Sequence, residues 1–103
     1  MPVPLFVLSP PAARQLSNLV AEVAEYSGEE RSERVEHLLY KTFATIAALP
    51  GVGHLRPDLV AGPIFFYYAN PYMVLYRKDI PIEIIAIFHG ARDIASLMLT
   101  ESE

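Results

Sequence analysis

Three apolar runs of strand length stand close together in the last third of the chain: IFFYYA (64–69), YMVLYR (72–77) and IEIIAIFH (82–89). Only Asn70-Pro71 and Lys78-Asp79-Ile80-Pro81 separate them. Consecutive strands joined this tightly lie antiparallel and adjacent, because a parallel crossover needs a dozen or more residues. The spacing predicts an antiparallel meander against which the rest of the chain has to pack. Pleating sorts alternate residues onto opposite faces. With tight turns, Phe65, Tyr67, Val74, Tyr76, Glu83, Ile85 and His89 point one way. Phe66, Tyr68, Met73, Leu75, Ile84, Ala86 and Phe88 point the other. The second group is the more uniformly apolar, so it is the one expected to meet the covering layer.

That layer is written upstream. VPLFVL (3–8) reads as a first strand, with Pro4 placing it at an edge or a strand start. Ser9 before Pro10 and Pro11 is a helix-start signal: the hydroxyl caps free N–H groups, and proline is tolerated in the first turn. Ala13, Leu16, Leu19, Val20 and Val23 then recur at helical spacing, and Gly28 fits a left-handed stop. A second helix carries Val35, Leu38, Leu39, Thr42, Ile46 and Leu49 on one stripe, with Arg34, His37 and Lys41 opposite. Pro50 and Gly51 end it, and residues 51–63 are rich in turn formers. Beyond the meander, Ile94, Leu97 and Met98 again have helical spacing. The order β-α-α-β-β-β(-α) defines an α+β fold, with a helix hairpin packed on one face of a small antiparallel sheet. One domain, 1–103, accounts for the whole chain.

Bulk properties exclude several classes. Apolar residues make up 52% and charged residues 19%, which is the composition of a folding sequence. No run is long enough to span a bilayer, and the first residues lack the basic flank of a signal peptide. With no cysteine there is no disulfide or thiolate metal site, consistent with a cytoplasmic chain. The net charge of −4 is the wrong sign for a protein that grips phosphates through Lys and Arg.

The stretch IAIFHGARD (85–93) runs a buried strand into His89, Gly90, Arg92 and Asp93. Three histidines in separate elements, His37, His54 and His89, show no metal-ligand spacing. A His base is conceivable, with Asp93 or Glu83 orienting it, but no serine or cysteine stands in a nucleophile elbow nearby. Two roles remain. His89 and Arg92 either fasten the sheet to the preceding loop, through an Arg92–Asp58 or Arg56–Asp93 pair, or contact a target. In GHLRPDL (53–59) the Gly-Lys-Ser/Thr ending of a phosphate-binding loop is missing. Gly51 and Gly53 turn the chain there, Pro57 stiffens it, and Leu55 and Leu59 are expected to pin it to the core. Six tyrosines are present, four of them on the meander. With only Arg77 and Lys78 basic among them, packing or a protein-facing edge suits them better than base stacking.

Taken together, the element order, the GxxHLRPDL-type loop, Tyr72-x-Val74-Leu75-Tyr76-Arg77 and the strand ending in His89-Gly90-Ala91-Arg92-Asp93 resemble the RelE/ParE toxin superfamily of bacterial toxin–antitoxin pairs. The resemblance implies one of two mechanisms. RelE-like members cut messenger RNA on the ribosome with basic residues and a C-terminal tyrosine. ParE-like members act on DNA gyrase and are neutralised by a small antitoxin. The two lysines of the nuclease set would fall among Ile64, Phe65, Phe66 and Tyr67, its first arginine on Met73 and its tyrosine near Met98; only Arg92 is retained. Losing one electrostatic stabiliser typically lowers a rate about 10²- to 10³-fold, so this deficit favours the ParE-like, non-catalytic reading. A degenerate, non-toxic member is the third possibility.

On that resemblance the partners are a ParD-like ribbon-helix-helix antitoxin and DNA gyrase, with no cofactor, metal, membrane or direct nucleic-acid contact. Arg56, Tyr76, Arg77, His89 and Arg92 are the candidates for target or partner contact. An antitoxin tail would bury an amphipathic helix in a groove of the hairpin. Leu16, Val20, Val23, Val35, Leu39 and Phe43 either line that groove or form core. A basic tail would suit the acidic chain.

Overall fold

The computed structural model describes residues 5–90. Arg92 and the helical spacing at Ile94, Leu97 and Met98 lie outside the described residues. Strand β1 (Phe6–Leu8) leads into helices α1 (Pro10–Ser27) and α2 (Glu29–Ala48), and a 3-10 turn (Pro50–Val52) follows. Then come β2 (His54–Leu55), β3 (Phe65–Ala69), β4 (Tyr72–Arg77) and β5 (Ile82–His89). The sheet order is β1-β5-β4-β3-β2. The meander β3-β4-β5 forms as its spacing predicts, β2 extends it antiparallel to β3, and β1 joins the far edge parallel to β5.

The local signals that build the hairpin are those of the sequence. Ser9 caps α1, its Oγ accepting from the Ala12 N–H at 3.2 Å, with Pro10 and Pro11 in the first turn. The same hydroxyl donates to the Ile85 carbonyl at 3.2 Å, and the Ser9 N–H donates to the Ile84 carbonyl at 2.9 Å. Strand β1 stops at Leu8, so these bonds occupy acceptors of β5 that no longer face a strand. Ser9→Ala should therefore destabilise the fold by about 1–2 kcal/mol, the usual range for a cap. Urea unfolding at neutral pH measures it, and an unchanged midpoint would refute the double role. Gly28 alone joins the helices, at φ +92°, a conformation that favours glycine.

The main core lies between the hairpin and the sheet. Ala12 and Leu16 of α1 and Leu39, Phe43 and Ile46 of α2 pack on Tyr72, Val74, Tyr76, Ile82, Ile84 and Ile87. The buried stripe of each helix is rotated slightly from the one the spacing predicts. Ala12 is buried where the spacing favours Ala13, while Leu38 and Leu49 are exposed. The buried hydroxyls of Thr42 and Ser32 stay satisfied inside the helix, Thr42 donating to the Leu38 carbonyl and Ser32 to that of Glu29, both at 2.8 Å.

The sheet presents the opposite face from the one expected on β3 and β4. Phe65, Tyr67, Val74 and Tyr76 face the helices, and Phe66, Met73 and Leu75 lie behind. Two physical reasons decide this. The Tyr76 hydroxyl, the polar group that argues against burying this face, finds two partners: it accepts from the Gly53 N–H at 2.9 Å and donates to the Pro50 carbonyl at 2.7 Å. The rear face is also covered, because Leu59, Val60 and Ile64 pack on Phe66 and Leu75 there. Along β5 a bulge adds a further change, since Leu75 pairs with Ala86 but Tyr76 with Ile84. The extra residue, Ile85, lets Ile84 and Ile87 both reach the helices.

Candidate partner-binding clefts

The turn between β3 and β4 brings Pro71 and Tyr72 beneath the end of the hairpin where α1 finishes and α2 begins. A cleft of about 500 Å³ opens there. Val23, Val35, Leu38 and Tyr72 form its apolar walls, and Arg31 and Arg34 stand on the α2 side. Among the described residues Arg34 makes only a long ion-pair contact, with Glu30 at 3.7 Å and both side chains largely exposed. A second cleft of about 320 Å³ shares Val23 and Tyr72 and runs between α1 and β5, bordered by Gln15, Leu19, Ile87 and His89. Gln15 fixes its floor, since Oε1 accepts from the Ile87 N–H at 2.8 Å. The two openings have Val23 and Tyr72 as common walls near the end of α1. Apolar walls with a few placed polar groups suit recognition better than bond-making.

His89 and Gly90, the described start of the HGARD stretch, close this end of the sheet. His89 meets Tyr72 edge-on, with ring centroids 6.1 Å apart at 88°. The Gly90 N–H donates to the Pro71 carbonyl at 2.7 Å. A Cβ on Gly90 would stand 2.9 Å from the Tyr68 ring and 3.1 Å from that same carbonyl, so no larger residue fits without movement. The described part of the motif is thus a structural closure that places His89 on the rim of the second cleft.

The other candidates scatter. Arg56 pairs with Asp58 through two hydrogen bonds of 3.1 and 2.9 Å; the Arg92–Asp58 and Arg56–Asp93 pairings expected from sequence involve Arg92 and Asp93, which lie outside the described residues. That bond holds the exposed Asp58 carboxyl below its ordinary range. Leu59 reaches the core as expected, but Leu55 is half exposed. Arg77 lies 3.8 Å from Glu83. Tyr76, a candidate contact residue, is completely buried and belongs to the core. Among the groove candidates, Leu16, Leu39 and Phe43 are core as well, packed between helices and sheet. Val23 and Val35 line the first cleft, and Val20 borders a smaller groove between α1 and α2 with Glu36 and Tyr40. Sequence reading missed Arg31, Arg34, Leu38 and Tyr72 as cleft residues. The spacing of Arg31, Arg34, Val35 and Leu38, at three- and four-residue steps on one helix, was the available signal.

Among the described residues no group of three or more His, Asp or Glu side chains could hold a metal ion. No helix there is long and apolar enough to cross a membrane. The architecture is that of a helix hairpin on a mixed five-stranded sheet with partner-sized apolar clefts at one end. Residues 6–94 match the family model described as ParE toxin of type II toxin-antitoxin system, parDE, and the chain belongs to that family. Among solved structures it is similar to a chain of the chromosomal ParDE TA system from P. aeruginosa. The identity is 17%, the coverage 82% of this chain and 92% of that one, and the TM-score 0.67. No curated protein matches the sequence.

Proposed function

We propose that this chain is the toxin of a toxin–antitoxin pair, that it acts in the cytoplasm by binding DNA gyrase, and that a neighbouring ribbon-helix-helix antitoxin neutralises it. Family membership supports the toxin role. The single observation that carries the gyrase assignment is the character of the sheet where ribonuclease relatives would hold RNA. Phe66 is buried behind the sheet against Leu59 and Leu75. Phe65 stacks on Tyr76 at 5.6 Å, and Lys78 lies over the Phe65 ring at 4.4 Å. Cleavage by a ribose hydroxyl needs a proton acceptor, a proton donor and positive charge on the phosphate. Phe65 and Phe66 supply none of that set and Lys78 adds a single positive charge, whereas the apolar packing suits a protein that works by docking.

Expression without the antitoxin is expected to arrest growth with induction of the DNA-damage response, and co-expression of the adjacent reading frame to relieve it. Purified toxin mixed with gyrase and supercoiled DNA should accumulate cleaved gyrase–DNA complexes. Normal gyrase cycling at stoichiometric toxin would remove the target assignment. Cutting of transcripts on translating ribosomes would replace it with the ribonuclease mechanism.

A further inference from the structure

The three most exposed aliphatic side chains among the described residues gather at the end of the sheet away from Tyr72. Ile80, in the turn between β4 and β5, is 96% exposed, and Leu5 and Leu49 are 65% and 60% exposed. Beside Ile80 opens a cleft of about 340 Å³ walled by Leu5, Ala47, Pro50, Pro81 and Ile82. A protruding isoleucine next to an apolar hollow is a knob and a hole on one surface. Exposed apolar side chains concentrated in this way mark a contact with protein. Strand β4 runs from Tyr72 to Arg77, so this end stands roughly 16 Å from the clefts beside Tyr72.

The charges select the occupant. No Asp, Glu, Lys or Arg precedes Arg14 or lies between Lys41 and Arg56, the stretches that supply Leu5, Ala47, Leu49 and Pro50. The charged groups lining the cleft are Lys78 and Asp79, one of each sign. Neither forms an ion pair among the described residues, although the Lys78 ammonium lies over the Phe65 ring. The next charges along the strands, Arg77 and Glu83, face each other at 3.8 Å. This end is therefore neutral, and the net charge of −4 arises elsewhere on the chain. Two copies that repel over the rest of their surface meet here without an excess of like charge. A two-fold axis sets each residue of a patch against another residue of the same patch on the second copy. Two such turns crossing at the axis bring Lys78 of each copy to Asp79 of the other, and each Ile80 to the other's hollow.

We propose that this end is a self-complementary contact through which two copies of the chain pair, with Ile80 as the apolar anchor and reciprocal Lys78–Asp79 ion pairs around it. So few residues bury less than the roughly 800 Å² per partner of a standard interface, so the pairing is weak and reversible. The clefts beside Tyr72 stay open at the outer ends of the pair, which makes the dimer bivalent toward whatever binds them. The proposal does not depend on the identity of the target.

Sedimentation velocity of the full chain across the micromolar concentration range tests it. The wild-type mass should rise from that of one chain to that of two. Ile80→Glu and Lys78→Glu should each weaken pairing at least about 10-fold, one by burying a carboxylate and the other by opposing two acidic side chains. Asp79→Lys should weaken it likewise, and mixing that variant with Lys78→Glu should restore pairing as a mixed dimer, because opposite charges meet again. All three positions are exposed in a turn, and circular dichroism checks that the variants fold. A wild-type chain that stays monomeric throughout overturns the proposal. A dimer unaffected by these variants, or masses that climb past two copies, does the same. Pairing that appears only after removal of residues 2–4 would give the hollow to the chain's own beginning. A monomeric toxin whose gyrase complex is lost on Ile80→Glu would give it to the target. Either result overturns the proposal and leaves the toxin reading intact.

Discussion

Replacing Phe43 with alanine should remove about 3–5 kcal/mol of stability, the range for truncating a buried phenylalanine. The ring is completely buried in α2. It meets Phe6 of β1 edge-on at 5.4 Å and Tyr40 at 5.6 Å, and it joins both to the cluster beneath the hairpin. Such pairs add about 0.5–1.5 kcal/mol beyond the area they bury. A domain of this size has a total stability of about 5–15 kcal/mol, so the loss removes a large part of it. The melting temperature should fall by about 15 °C or more, and scanning calorimetry reads it directly. Tyr26, 79% exposed on α1, is the control, and its replacement by alanine should change stability by no more than about 0.5 kcal/mol. A Phe43→Ala protein that melts near the wild-type temperature would mean that β1 is not clamped by this aromatic triad. The consequence for function is specific. Phe43 is core and not groove, so its loss should impair antitoxin binding only to the extent that the protein unfolds.

Elements with strong local signals are legible in the amino-acid sequence itself. Ser9-Pro10-Pro11 announces α1, Gly28 its end, and Asn70-Pro71 the first meander turn, because capping and turn chemistry act within a few residues. Strand β2 is not legible, since His54–Leu55 is too short to show any period. The facing of the sheet escapes for a different reason. It turns on whether the Tyr76 hydroxyl can be satisfied when buried, and its acceptor at Pro50 lies 26 positions away. The bulge at Ile85 then changes the alternation within β5, which no count of apolar residues foretells. Part of the candidate site is visible in Val23 and Val35, apolar residues on either side of the hairpin turn. Arg34 reads as a solvated charge on the polar side of α2 in the sequence; the fold sets Pro71 and Tyr72 near it and Arg31, a juxtaposition created by tertiary packing alone.

The hydroxyl that decides the facing also defines the second large effect. Tyr76→Phe keeps the ring but leaves the Gly53 N–H and the Pro50 carbonyl without their partner, and an unsatisfied buried group costs about 1–3 kcal/mol. Gly53→Ala attacks the same contact from the other side. An added Cβ would lie 2.5 Å from the hydroxyl and 2.8 Å from Cε1 of a ring held against Phe65. Its effect should equal or exceed that of Tyr76→Phe, and the double variant should lose less than the sum of the two, because both break one latch. The pH dependence carries its own sign. Burial raises the Tyr76 phenol above its ordinary value, with the Gly53 hydrogen bond opposing that rise. A tyrosine in the unfolded chain ionises near pH 10, before the folded one does. The stabilisation is therefore whole below about pH 10 and is lost as the pH climbs toward the folded value. Urea unfolding of wild type and Tyr76→Phe should accordingly show a gap that is widest at neutral pH and narrows above about pH 10. A gap that stays constant would mean that the phenol is solvated. The loop carrying Pro50 and Gly53 would then be held to the sheet by the β2–β3 pairing and by the packing of Val52 and Leu59.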